Sequence, residues 1–137
     1  MIATLLAVGL TRRLFLRSPV MGAVIASAPK PALAKLRREI ELVRTFVAGT
    51  AYYDAERVFE DLAEGQELTL RRQPDNSHDR KAIEVYSGRG SKLGYVPRID
   101  NSALTALLDD GRQLKARITA LRRDRYQDIS MAIALVE

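Results

Sequence analysis

Polar and apolar positions in this chain fall mainly into a period of two. Leu114, Ala116, Ile118 and Ala120 alternate with Lys115, Arg117, Thr119 and Leu121, and after a polar turn over 124–128 the residues 129–136 alternate again. Such alternation sets one side of a pleated strand on a core and leaves the other wet. Leu68 and Leu70 alternate with Glu67, Thr69 and Arg71 in a strand that must stop before Pro74. Residues 82–87 place Ile83 and Val85 on one face and Glu84 and Tyr86 on the other, and Gly88, Arg89 and Gly90 turn this strand back onto 92–96 as a hairpin. A β-branched and aromatic run at 45–50 reads as the first strand.

A helical period competes at three places. Leu36, Ile40 and Val43 mark one face of a short helix or linker over 35–43. Val58, Phe59 and Leu62 predict a short helix within 55–64, stopped by Gly65. Leu104, Leu107 and Leu108 share a face over 101–110, with Asp100, Asn101 or Ser102 as the N-cap and Gly111 as the stop. Five to six short strands with a helix between the fourth and fifth predict a mostly β domain, built as a small barrel with one or two short helices.

The chain of 137 residues has room for one such domain and an extension. It has no cysteine, which removes disulfides and thiolate metal sites and leaves the redox compartment open. The formal net charge of +5 resembles a nucleic-acid signature until it is divided along the chain. Arg12, Arg13, Arg17 and Lys30 stand in residues 1–34 without a single acid, so the remainder carries 18 basic and 17 acidic residues. The domain is near neutral, and phosphate binding there requires a local patch.

Residues 1–34 read as an export leader. Thr11, Arg12, Arg13, Leu14, Phe15 and Leu16 resemble the twin-arginine translocation motif, followed by an apolar stretch at 20–28 and by Ala32, Leu33, Ala34, a small-residue cleavage site after Ala34. The apolar stretch is too short and too interrupted by Ser18, Pro19 and Ser27 for a stable membrane span. This predicts a partner in the twin-arginine machinery and a periplasmic or secreted protein. The alternative is an amphipathic N-terminal helix on a cytoplasmic protein, favoured by the almost wholly apolar residues 1–10 where a leader normally starts polar or basic.

Little here points to catalysis. One histidine and scattered acids do not make a metal site, so no metal or other cofactor is expected. Asp75 and Asp79 flank a turn whose Asp75 and Asn76 side chains can bond their own backbone. Asp109 and Asp110 at a helix C-terminus call for a solvated surface or an ion pair. Gly88, Arg89 and Gly90 lack the lysine and helix of a phosphate loop. Binding single strands instead takes flat aromatic faces and a few cations. Tyr52, Tyr53, His78 and Tyr95 supply the first, and Arg98, Lys81 and Arg72 can supply the second, although each can also be a plain core or surface residue.

Five ordered blocks carry a family resemblance. Val47, Ala48, Gly49, Thr50 with Tyr52 and Tyr53 are followed by the run over 68–79 that ends in Pro74, Asp75, Asn76, Ser77, His78, Asp79. Ala82, Ile83, Glu84, Val85 come next, then the block at 92–98 with Gly94, Tyr95, Val96, Pro97, Arg98, then 104–111. Together they resemble the HIRAN domain, here of the stand-alone type, over residues 44–137. The resemblance implies an OB-like β-barrel and a non-catalytic module that recognises the 3′ end of single-stranded DNA. It implies stacking on Tyr52, His78 and Tyr95, Asp79 on the terminal 3′ hydroxyl and Arg98 on phosphate, with Tyr53 beside them. The hydrolase association of the family belongs to fused helicase motors, so no enzyme is expected. Ala51 stands where DNA-binding members carry arginine, which removes one contact. The alternative is an exported HIRAN-type interaction or ligand-binding module that does not bind DNA. Oligomeric state is not legible.

Overall fold

The computed structural model describes residues 36–124 and 127–137. Arg12, Arg13 and the Ala34 cleavage position lie outside the described residues. Six strands, β1 (Glu39–Phe46), β2 (Glu67–Arg72), β3 (Ile83–Ser87), β4 (Lys92–Tyr95), β5 (Gln113–Arg123) and β6 (Gln127–Val136), form one antiparallel sheet in the order β1-β6-β5-β2-β3-β4. Just past β1, Ala48 pairs with Tyr95 of β4, each backbone N–H donating to the other's carbonyl at 2.8 and 2.9 Å. That bridge joins the two ends of the sheet into a small, OB-like barrel.

The closure depends on a glycine. A Cβ on Gly94 would run into the carbonyl oxygen of Ala48 and approach Val47 Cγ1 to 2.9 Å, so only a residue without a side chain lets the strands meet. Inside the barrel Ile83, Val85, Leu93, Ile118, Ile129, Met131 and Ile133 are essentially fully buried. Ile129, Met131, Ile133 and Leu135 of β6 all point inward, as the alternation predicts. Helix α1 (Ala55–Val58) runs into a 3₁₀ turn at Phe59–Asp61, and α2 (Arg98–Asp109) spans the path from β4 to β5. Among the described residues no helix is long and apolar enough to cross a membrane.

Several local expectations are corrected. Of the helix or linker expected over 35–43, residues 39–43 are instead part of strand β1. Opposite β6, Glu41 pairs with Ala134 and Val43 with Ile133, leaving Leu42 as an extra, bulged residue. The bulge brings Ile40 and Val43 to the same side three residues apart, which mimics a helical spacing in the sequence. The helix expected within 55–64 is only one α turn continued by the 3₁₀ turn. Helix α2 begins at Arg98, directly after Pro97, with no side-chain cap. Asp100 instead accepts a hydrogen bond from the Thr45 hydroxyl at 2.7 Å, and Asn101 is buried and committed to Asp79. On the same helix Leu104 is the buried anchor and Leu107 only half-buried. In β3 the second face is covered as well, because Glu84 is buried against Lys92.

Candidate nucleic-acid interface

An open groove of about 280 Å³ lies beside the barrel closure, lined by Ala48, Gly49, Tyr52, Tyr53, Asn76, His78, Asp79, Ala82, Tyr95, Val96 and Arg98. Three segments build it. Gly49, at φ 76°, adopts the left-handed conformation and starts a 3₁₀ turn (Thr50–Tyr52) that carries the two tyrosines outward. The turn between β2 and β3 brings His78 and Asp79, and the end of β4 brings Tyr95 with Arg98 following at the start of α2. Tyr52 is 84% exposed, a large aromatic face that packing alone does not explain.

The turn is organised by Asn76. Its side-chain carbonyl accepts from the backbone N–H groups of His78 and Asp79 at 2.9 and 3.0 Å, and its amide donates to Gln73 Oε1 at 2.9 Å. Of the two Asx residues read from the sequence, Asn76 makes the turn bonds; Asp75 makes no side-chain hydrogen bond among the described residues. Asp79 accepts from the Lys81 backbone N–H at 2.9 Å and from the Asn101 amide at 2.8 Å, with Arg98 Nε 3.8 Å away. The Lys81 N–H chiefly holds its carboxyl below the ordinary value; desolvation opposes this, while Asn101, Arg98 and Lys81 reinforce it. Asp79 is thus an ionised acceptor, held by two hydrogen bonds and still partly exposed, with the Arg98 guanidinium beside it. Arg98 donates to the His78 carbonyl at 2.6 Å while its side chain remains largely exposed.

Behind the groove the aromatic wall rests on a polar cluster. The Tyr53 and Tyr95 rings meet edge to face at 5.5 Å, and the Lys92 ammonium lies 4.3 Å from the Tyr53 ring centroid. Lys92 donates to Glu84 at 3.0 Å and to the Tyr95 hydroxyl at 2.7 Å, and that hydroxyl donates to Gln73 at 2.7 Å. Burial disfavours the Lys92 charge, but its bonds to Tyr95 and Glu84 outweigh this and hold the ammonium well above the ordinary lysine value. Burial, and next the Tyr95 contact, push the Tyr53 phenol up.

Tyr52, Tyr53, His78, Asp79, Tyr95 and Arg98, widely separated in the chain, therefore line one groove. Arg72 and Lys81 do not. The Arg72 guanidinium is spent on Asp109 and on the carbonyls of Ala82 and Arg80, which also answers the charge of Asp109 at the end of α2. Lys81 reaches the Ser102 hydroxyl, and its carbonyl accepts from Thr105. Asn76, Asn101, Gln73 and Lys92 were not legible as site residues: Asn101 and Gln73 meet Asp79 and Tyr95 across 22 residues, and the nearer partners of Asn76 and Lys92 face them only in the folded turn and hairpin. Only the Asx character of position 76 was a signal. Among the described residues no cluster of three or more His, Cys, Asp or Glu is placed to hold a metal ion.

A closed antiparallel barrel with an aromatic-walled groove at its seam defines an OB-like binding fold. The HIRAN domain model matches residues 40–136, and the chain belongs to that family. It is 39% identical over 70 residues to a Fanconi-associated nuclease 1 homolog of Arabidopsis thaliana, a match covering 51% of this chain and 7% of that relative's length. Among solved structures, a protein from Lactobacillus plantarum superposes with a TM-score of 0.69 at 27% identity, covering 74% of this chain and 98% of that one. The crystal structure of the HIRAN domain of human HLTF gives a TM-score of 0.59 at 20% identity, covering 69% and 74% of the two chains. The HLTF HIRAN domain in its DNA-bound conformation gives 0.53 at 20% identity, with 72% and 78% covered. The two HLTF structures share this fold, and the second shows that a HIRAN domain binds DNA.

Proposed function

We propose that this domain is a non-catalytic nucleic-acid-binding module that recognises the 3′ end of single-stranded DNA. The observation that carries the reading is the convergence of an exposed aromatic face, a fixed carboxylate and one accessible guanidinium in a single groove. Tyr52 offers a stacking face at the open edge, with Tyr95, Tyr53 and His78 along the wall, and stacking contributes about 1–3 kcal/mol per base. A carboxylate among phosphates repels them unless it accepts from a hydroxyl, so Asp79 suits a terminal 3′ hydroxyl. Arg98 suits the adjacent phosphate. The near-neutral domain and Ala51 point to binding carried by the end rather than by a long electrostatic track.

The test is a fluorescence-anisotropy titration of short oligonucleotides ending in a 3′ hydroxyl or a 3′ phosphate, at low and moderate salt. Tighter binding of the hydroxyl end supports the reading. No binding tighter than about 100 µM at low salt overturns it, since even sequence-independent binding reaches that range. In that event the alternative stands, an exported HIRAN-type interaction module, whose support is the Thr11 to Leu16 motif and the Ala34 site. Export itself is tested by sequencing the mature N-terminus. A start at or near Lys35, lost when Arg12 and Arg13 are both changed to lysine, is expected, and intact Met1 in cells with a working translocase refutes it.

A further inference from the structure

Neither Lys92 nor Glu84 lines the groove, yet both sit under its wall, and an unbroken chain of hydrogen bonds leads from them to its rim. An ammonium only donates. The Tyr95 hydroxyl must therefore accept from Lys92, at 2.7 Å, and its one proton goes to Gln73 Oε1, also at 2.7 Å. With its carbonyl end set in this way, Gln73 accepts a second bond from the Asn76 amide, at 2.9 Å. Asn76 is then left with its own carbonyl facing the N–H groups of His78 and Asp79. Reversing either amide would set donor against donor at one of these short contacts.

We propose that Lys92, with Glu84 as its counter-ion, is a positioning residue of the groove: it fixes the direction of the hydrogen-bond chain through Tyr95, Gln73 and Asn76 that orients the turn carrying His78 and Asp79. The chain couples an ion pair on β3 and β4, its Glu84 buried and its Lys92 partly so, to the carboxylate that reads the ligand's end. Glu84 and Lys92 form one link of it, so the pair serves recognition as well as the packing of the β3–β4 hairpin. The ligand side of this proposal rests on the nucleic-acid reading above; the orientation side does not.

Two variants test it in the full chain. Tyr95→Phe keeps the ring and both charges but removes two successive links of the chain, Lys92 to Tyr95 and Tyr95 to Gln73. Lys92→Met with Glu84→Gln removes both charges together, so that no buried charge is left unpaired. Amide NMR without ligand should show displaced or broadened His78 and Asp79 backbone signals and a displaced Asn76 side-chain signal in both variants. The ratio of affinities for 3′-hydroxyl and 3′-phosphate oligonucleotides should fall roughly three- to tenfold, the equivalent of about one hydrogen bond. A merely structural role would lower both affinities and leave that ratio alone. Unmoved Asn76, His78 and Asp79 signals in a folded Tyr95→Phe protein overturn the proposal. Moved signals with an unchanged ratio overturn its ligand side. Should the doubly substituted protein fail to fold, Tyr95→Phe decides alone, and should the wild type bind no oligonucleotide, the NMR arm still decides the orientation.

Discussion

The barrel seam offers a sharp test of the fold, because one backbone atom's clearance decides it. Gly94→Ala places a methyl group where the Ala48 carbonyl and Val47 Cγ1 already stand. The chain must part there, losing the two bonds between Ala48 and Tyr95, each contributing about 1 kcal/mol net. Displacing the well-packed Val47 and Val96, both buried, adds about 1–3 kcal/mol of overpacking. The sum is about 3–5 kcal/mol, which lowers Tm by roughly 15–30 °C for a domain of this size. Gly88→Ala is the control, since its Cβ would meet only the Glu67 carbonyl at an ordinary 3.6 Å. Thermal and urea unfolding followed by circular dichroism measure both. A Gly94→Ala protein that melts within roughly 5 °C of wild type, or no lower than Gly88→Ala, would show that the seam does not close as described. Because Ala48, Tyr95 and Val96 also line the groove, the same substitution should weaken oligonucleotide binding at temperatures where the variant remains folded.

Ile83→Ala and Leu104→Ala should each cost about 2–5 kcal/mol in urea unfolding, the usual cost of emptying a buried aliphatic site, while half-buried Leu107→Ala should cost less than either. Equal losses at 104 and 107 would mean that α2 presents a different face to the core. Tyr52→Ala should leave Tm nearly unchanged, because the ring is mostly in solvent, yet weaken oligonucleotide binding roughly tenfold or more; a large Tm loss would mark Tyr52 as a packing residue instead. Arg98→Ala should flatten the dependence of binding on salt, with an unchanged slope as the refuting result. Because the folded-state pKa of Asp79 is depressed, its contribution to stability is complete above its unfolded value of about 3.9 and is lost as pH falls through the folded value. Asp79→Asn should therefore show a shallower loss of stability below about pH 4 than wild type, and parallel acid limbs in the two proteins would contradict this assignment.

The period of two in 114–121 and 129–136 was enough to reveal the two long strands, which the structure extends to 113–123 and 127–136, because a strand with one covered face writes its alternation into the chain. The β3–β4 hairpin and the existence of α2 were legible for similar local reasons. Residue type alone named Tyr52, Tyr53, His78, Tyr95 and Arg98 of the groove's lining, but also Lys81 and Arg72, which lie outside it; Asp79 was named only through the resemblance to the HIRAN domain. Sequence did not reveal that 39–46 is a strand, because the bulge at Leu42 shifts the pleat by one residue and counterfeits a helical face. Nor could it tell that Asp100 and Asn101, good capping residues, would turn away from the helix end toward Thr45 and Asp79. Arg72, chemically suited to phosphate, is claimed instead by Asp109, 37 residues away. Hydrogen-bond partners, counter-ions and the clearance at Gly94 depend on which segments the closed barrel brings together, and a linear pattern carries no record of those distances.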